Sequence, residues 1–193
     1  HYFRDETEGS YIGQVAADGQ VRVPVVLLVM NSDGYRNLCQ LLTIGRRASK
    51  KGQSVVTPEQ VAFCSEGLLA LYVEDADLSM MSFWKSVFPG RFYVGVSRQG
   101  VAGERKRNTL KINYANELGL DMVALGNVHG ATRGDKSLQD VVMCIREGMT
   151  LDEAGASLAS NGERCLRSPD ELQKIFFDHC IQQFLLKEFW IHF

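Results

Sequence analysis

Nearly unbroken apolar runs alternate along this chain with stretches whose apolar residues recur at helical spacing. Val21–Met30 (VRVPVVLLVM) is β-branched and aliphatic almost throughout, the pattern of a strand covered on both faces, with Pro24 suited to a strand start. Asn31-Ser32-Asp33-Gly34 supplies a turn and a helix cap, and Tyr35, Leu38, Cys39, Leu41 and Leu42 follow at helical spacing. Arg46–Ser54 is basic and without period and reads as an exposed loop. Thr57-Pro58-Glu59-Gln60 opens a short helix to about Cys64, with Pro at the first helical position and a capping-box Gln.

Gly67–Val73 reads as a second buried strand, and Leu78–Phe88 as a helix whose Met80, Met81, Phe83, Trp84 and Val87 are core candidates. Arg91–Val96 makes a third strand. Ala102–Leu118 is a long amphipathic helix closed by Gly119, and Leu120–Leu125 a fourth strand. Gln139–Glu147 carries Val141, Val142, Cys144 and Ile145 on one helical face. Ser168-Pro169-Asp170-Glu171 is a capping box that starts a last helix, expected to reach about Leu186. Residues 1–20 carry only a weak strand or loop signal. Four strand–helix alternations with long connections predict an α/β fold with a mostly parallel sheet, and spacing alone leaves open whether it is flat or bent into a barrel.

Composition and charge narrow the function. Hydrophobic residues make up 45% and charged residues 23% of the 193 positions, the balance of a globular domain. The formal net charge is −2, without the basic excess that drives phosphate binding. One basic cluster, Arg105, Lys106, Arg107 and Lys111, falls in a predicted helix; it reads as a solvated face, with nucleic-acid contact through Arg105, Lys106 and Lys111 as the other option. The five cysteines lack metal-knuckle or redox spacing and read as small buried hydrophobes in a reducing cytoplasm. No stretch has the length of a membrane span, so a cytoplasmic location is expected. No phosphate-binding Gly-Lys-Ser/Thr loop, dinucleotide fingerprint or nucleophile elbow occurs.

Five phrases then arrive in a familiar order: VVLLVMNSDGYRNLCQLLT at 25–43, SEGLLAL at 65–71, GRFYVGVSRQG at 90–100, RKRNTLKINYANELGLDMVALGNVH at 105–129, and the pair DVVMCIREGMTLDE (140–153) and LRSPDELQKIF (166–176). Together they resemble the later part of the polymerase-and-histidinol-phosphatase (PHP) domain of bacterial DNA polymerase III alpha-type and error-prone polymerase subunits. The resemblance covers roughly residues 21–179. Residues 1–20 read as a poorly matched extension, and 180–193 as an apolar segment off the family pattern. It implies a partial bent β/α barrel with a metal site at the strands' C-terminal ends, and a parent protein whose polymerase module lies further along. The implied partners are the remainder of the polymerase chain and a proofreading exonuclease, with DNA met only through the parent.

The resemblance also locates the positions to test for chemistry. An active PHP phosphoesterase gathers His, Asp, Glu and Cys around two or three divalent metals that activate water. Where the family has Arg-His-Gly, this chain has Arg98-Gln99-Gly100; where active members have Asp-Val-His, it has Asn127-Val128-His129. Val73 and Glu74 replace a frequent Gly-Cys element, and the early His-x-His and Thr-Asp-His elements do not occur in this sequence. His129 alone remains as a relic metal ligand, or as a histidine tying down its loop by hydrogen bonds. Asp121 is expected at the far end of its strand, and Asp135 as a helix cap. No catalytic residue is assigned and no cofactor expected, so the chain reads as a silent platform of a DNA replication or repair polymerase. The alternative is a PHP-type phosphoesterase using a divalent metal such as zinc or manganese.

Overall fold

A computed structural model describes residues 11–13, 24–49, 54–73 and 75–176. In order these are strand β1 (Tyr11–Gly13), β2 (Pro24–Val29), helices α1 (Ser32–Ala48) and α2 (Pro58–Phe63), β3 (Leu68–Tyr72), α3 (Leu78–Val87), β4 (Phe92–Ser97), α4 (Glu104–Glu117) and β5 (Asp121–Leu125). There follow α5 (Lys136–Glu147), α6 (Leu151–Ala154) and α7 (Pro169–Ile175). The expected α/β class holds. One sheet runs β1-β2-β3-β4-β5, its four longer strands mostly parallel and not closed into a barrel. β3 and β4 are parallel neighbours, whereas β2 runs antiparallel to β3, with Val26 opposite Leu71 and Leu28 opposite Leu69. Val25, Val26 and Leu27 are buried while Val29 is exposed, so the apolar run of β2 reflects cover on both faces over its first half only and carries no information on direction.

The chain divides into two compact units, residues 1–95 with 109–123, and 96–108 with 124–193. In the first, Leu27, Leu41, Leu68, Tyr72, Trp84, Phe88 and Val94 are buried, and α1 packs on β2 and β3. Its start is fixed by Asn31, whose side chain accepts from the Gly34 N–H at 2.9 Å. There Gly34 and Gly67 touch through their backbones: a Cβ on Gly34 would lie 1.9 Å from the Gly67 carbonyl oxygen. Gly67 itself has φ +69°, so a side chain there is excluded twice over. α1 continues to Ala48, which places Arg46 and Arg47 in its last turn, where cations offset the helix dipole. The basic character of that stretch marks a helix C-terminus before it marks a loop.

Capping boxes stand where expected, at Thr57–Gln60 and Ser168–Glu171. Hydrogen bonds from the Ser168 backbone and hydroxyl hold the Glu171 carboxyl below the usual carboxylate range. The described part of α7 ends at Ile175, and the expected continuation toward Leu186 lies outside the described residues, as do the boundaries anticipated at residues 20 and 179. Cys64, Cys144 and Cys165 are buried while Cys39 is exposed; burial pushes the Cys64 thiol up, which lowers its reactivity. Among the described residues no helix is long and apolar enough to cross a membrane.

The second unit holds one departure from its sequence pattern. The apolar face of α5 is expected to bury Val141, Val142 and Ile145, yet these are exposed, and only Cys144 of that set is buried. The face turned inward carries Gln139, Asp140 and Cys144.

Candidate functional site

All four site-equivalent positions, Arg98, Gln99, Asn127 and His129, lie in the second unit. Gln99 follows β4 and is only 6% exposed. Its backbone N–H donates to both carboxylate oxygens of Glu104 at 2.9 Å. The Gly100 N–H adds a third bond at 2.9 Å, and the Ser97 hydroxyl a fourth at 3.2 Å. Glu104 is the first residue of α4, so its carboxylate also meets the positive end of the helix dipole. This clamp forms locally because Gly100, at φ +67°, lets the loop turn its amides inward.

Both polar atoms of the Gln99 side chain, and its backbone carbonyl, are hydrogen-bonded. Its Nε2 donates to the Gly126 carbonyl at 3.1 Å, its Oε1 accepts from Arg164 Nε at 3.3 Å, and its own carbonyl accepts from Asn161 Nδ2 at 2.7 Å. Arg98 donates to the Ile175 carbonyl at 2.7 Å, near the C-terminus of α7, and lies over the Phe176 ring at 5.4 Å. Its carbonyl accepts from Arg167 at 3.2 Å.

Asn127 has φ +45°, the one non-glycine residue with positive φ among those described, in a region that Asn tolerates better than most. Its Oδ1 pairs with His129 Nε2 at 3.0 Å, and Gln139 Nε2 pairs with His129 Nδ1. A single assignment satisfies both contacts: Gln139 donates to Nδ1, and the ring proton on Nε2 is donated to Asn127. The backbone of the same loop is pinned by His129 N–H and Gly130 N–H, both donating to the Arg164 carbonyl at 2.8 and 3.1 Å. Asp121 begins β5, at the far end from this loop. Asp135 stands at the N-cap position of α5, as expected, but its side chain accepts from the Thr132 N–H of the preceding 3-10 helix Arg133–Asp135 at 2.8 Å and bonds no amide of α5.

A divalent metal needs several unshared nitrogen, thiolate or carboxylate donors aimed at one point. Among the described residues no three His, Cys, Asp or Glu side chains converge, and both His129 ring nitrogens face amides. The described residues do not fit a catalytic metal; Glu74, His1, His179, Cys180 and His192 lie outside them. A shallow cleft beside His129 is lined by Thr132, Lys136, Gln139, Asp140, Asn161 and Arg164. Within it Lys136 and Asp140 neutralise each other at 2.5 Å.

The basic cluster of α4 divides in two. Arg105, Lys106 and Arg107 are exposed. Lys111 is 6% exposed, and its ammonium donates to the Val73 and Gly95 carbonyls, both at 3.2 Å. It is withdrawn from any phosphate, a correction to its place among the nucleic-acid contacts, because a lysine with a strand end in reach can bury its stem and still satisfy its charge.

Sequence reasoning missed Glu104, whose clamp is local, and Asn161, Arg164 and Arg167, whose roles depend on segments brought together from far along the chain. Glu163 ties two of these segments: its carboxylate accepts from Arg133 Nε at 3.0 Å and from Arg167 at 2.7 Å. The Arg133 hydrogen bond first, then the charges of Arg133 and Arg167, hold the Glu163 carboxyl below its ordinary 4.5. A depressed folded pKa stabilises the fold above the unfolded value, and that stabilisation is lost as pH falls through the folded pKa. The melting temperature is therefore expected to decline as pH drops below about 4.5, and Glu163→Gln should lower it at pH 7 by roughly 2–4 °C while flattening the acid decline. An unchanged pH profile in that variant assigns the decline to other carboxylates.

No protein-family model matches the chain. Curated relatives do. The chain is 35% identical over 167 residues to the error-prone DNA polymerase of Pseudomonas syringae pv. tomato, covering 83% of this chain and 16% of that protein. It is 37% identical over 153 residues to that of Pseudomonas aeruginosa, covering 79% and 15%, and 35% identical over 163 residues to that of Anaeromyxobacter dehalogenans, covering 80% and 14%. The chain is a relative of the error-prone DNA polymerases. The kinship extends over most of this chain but spans only 14–16% of the length of these polymerases. Arg98, Gln99, Asn127 and His129 thus belong to one segment of a polymerase-related sequence.

Proposed function

We propose that this chain corresponds to the later part of the PHP domain of an error-prone or DNA polymerase III alpha-type subunit, with its metal chemistry lost, and that it serves DNA synthesis as a structural and interaction platform. Its partners in this reading are the remainder of a polymerase chain and a proofreading exonuclease, with DNA engaged through the polymerase module. One observation carries the reading. At the position where the PHP pattern has a histidine, Gln99 is buried and uses its amide to join Gly126 and Arg164. A ligand position has become an anchor: the amide that replaces the imidazole bonds protein groups on both sides, and a neutral amide oxygen that already accepts from a guanidinium is a poor ligand for a catalytic metal. Asn127 makes the same exchange, since its amide oxygen accepts from His129 where an aspartate would bring charge.

The reading is tested by elemental analysis of protein purified without chelator, together with hydrolysis of p-nitrophenyl phosphate in the presence of manganese or zinc. Substoichiometric metal and no hydrolysis above buffer are expected. Two or more tightly held metals, with hydrolysis lost on chelation and in His129→Ala, would establish a phosphoesterase of the PHP superfamily and sink the platform reading.

A further inference from the structure

α5 is built inside out. Leu138, Val141, Val142 and Ile145 recur at three-, one- and three-residue intervals, which places them along one stripe of the helix. They are 66%, 40%, 56% and 74% exposed, and Leu151 at the start of α6 is 49% exposed. The inward face is mixed, with Cys144 buried, Gln139 bonded to His129 and Asp140 bonded to Lys136. Water stabilises charged faces and penalises apolar ones, so a helix with this orientation expects cover on its outer side.

We propose that this stripe is covered by the same stripe of a second copy of the chain, the two α5 helices packing antiparallel about a two-fold axis. The pattern is self-complementary. With the axis between Val141 and Val142, Leu138 of one copy meets Ile145 of the other, and the valines meet valines. A two-fold axis perpendicular to both helices also keeps each flank facing its own counterpart with the direction reversed. Asp135, which accepts from the Thr132 N–H, and Arg146, which pairs with Glu147 in its own copy, share one flank near opposite ends of the stripe, so Asp135 of each copy lies beside Arg146 of the other and competes for it. The match of charge is made twice in the pair. Antiparallel packing also sets opposite helix dipole ends side by side.

Size sets the strength. The stripe exposes several hundred Å², on the order of the largest apolar patch a monomer carries. A pair buries about 1,000 Å² in total, at the lower edge of specific interfaces, so association is weak and depends on concentration. The proposal rests on the orientation of α5 alone and is independent of the platform reading.

Sedimentation velocity on the full 193-residue chain from about 1 µM to about 1 mM tests it. The weight-average mass should rise from 21.6 kDa toward twice that value. Ile145→Glu, which buries a charge at the seam, should hold the mass at the monomer value with an unchanged circular dichroism spectrum. Arg146→Glu, which sets two carboxylates together on the flank, should weaken association several-fold. Phe63→Glu, at an 81% exposed position in the other unit, should leave the rise intact. A chain that stays monomeric throughout overturns the proposal and leaves the stripe to a different protein or another polymerase segment. So does a mass increase that Ile145→Glu does not touch.

Discussion

Trp84→Ala should destabilise the first unit by about 3–5 kcal/mol, the cost of emptying a large aromatic site in a core that only partly collapses. Trp84 is fully buried, with the Phe83 ring edge-on at 5.0 Å and the Phe88 ring at 6.2 Å. A change of this size should lower the melting temperature by on the order of 10 °C. A second substitution separates packing from polarity. The Trp84 indole N–H is buried with no hydrogen-bond partner among the described residues, and such an orphaned donor costs roughly 1–3 kcal/mol. Trp84→Phe gives up some ring volume but removes the orphan, so it should cost far less than Trp84→Ala. Urea unfolding followed by circular dichroism measures both. Equal losses in the two variants would mean that the indole nitrogen is satisfied in solution, through a water or a shift of the helix.

Glu104→Ala should be the most damaging change at the candidate site, by roughly 2–5 kcal/mol. It strips the acceptor from the buried Gln99 amide, worth about 1–3 kcal/mol when left unbonded, and from the Gly100 amide, which is exposed and loses less because water can replace the carboxylate. The loss is not confined to Glu104. Gln99 hangs from that clamp and in turn joins Gly126, Asn161 and Arg164, so the loops after β4 and β5 should loosen together. Hydrogen exchange at the Gln99 and Gly100 amides reads this directly, with protection falling in Glu104→Ala. Glu104→Gln keeps one acceptor oxygen and should fall between the two. Full protection of both amides in Glu104→Ala would show that the loop is held from elsewhere and that the carboxylate is incidental.

These two sites mark where the sequence was informative and where it was not. Trp84 could be placed in the core because Met80, Met81, Phe83, Trp84 and Val87 recur at helical spacing, and burial of such a face is the largest driving force in folding. Capping boxes at Thr57 and Ser168 were legible for a similar reason, since cap and N3 partner are three residues apart. Strand direction was not legible: β2 has the composition of a parallel strand and pairs antiparallel with β3. α5 inverted its expected orientation, because periodicity identifies an apolar stripe without saying which body covers it. The site was legible as positions and opaque as contacts. Arg98, Gln99, Asn127 and His129 stood out by resemblance, yet the partners that define them, Glu104, Asn161 and Arg164, are polar residues whose burial follows from loop closure. Lys111 carries the same lesson from a helix: seven residues after Glu104 it shares the inward face of α4, a face built from charged side chains with Ala115.

The contact between Gly34 and Gly67 bears on how such a chain can change over time. Two positions more than thirty residues apart occupy what is in effect one point in space, with a backbone atom where either side chain would begin. A single substitution at either position meets backbone, which cannot rotate away as a side chain can. Compensation at the other glycine is also closed, since that residue has no atoms left to remove. Sequence drift here has no stepwise route through paired exchanges. Loop length between the elements they enclose adds little cost once its ends are held, yet Leu41, Val56, Val61 and Cys64 of that segment are themselves buried. The apposition therefore fixes both ends of a segment whose divergence is confined to its exposed positions.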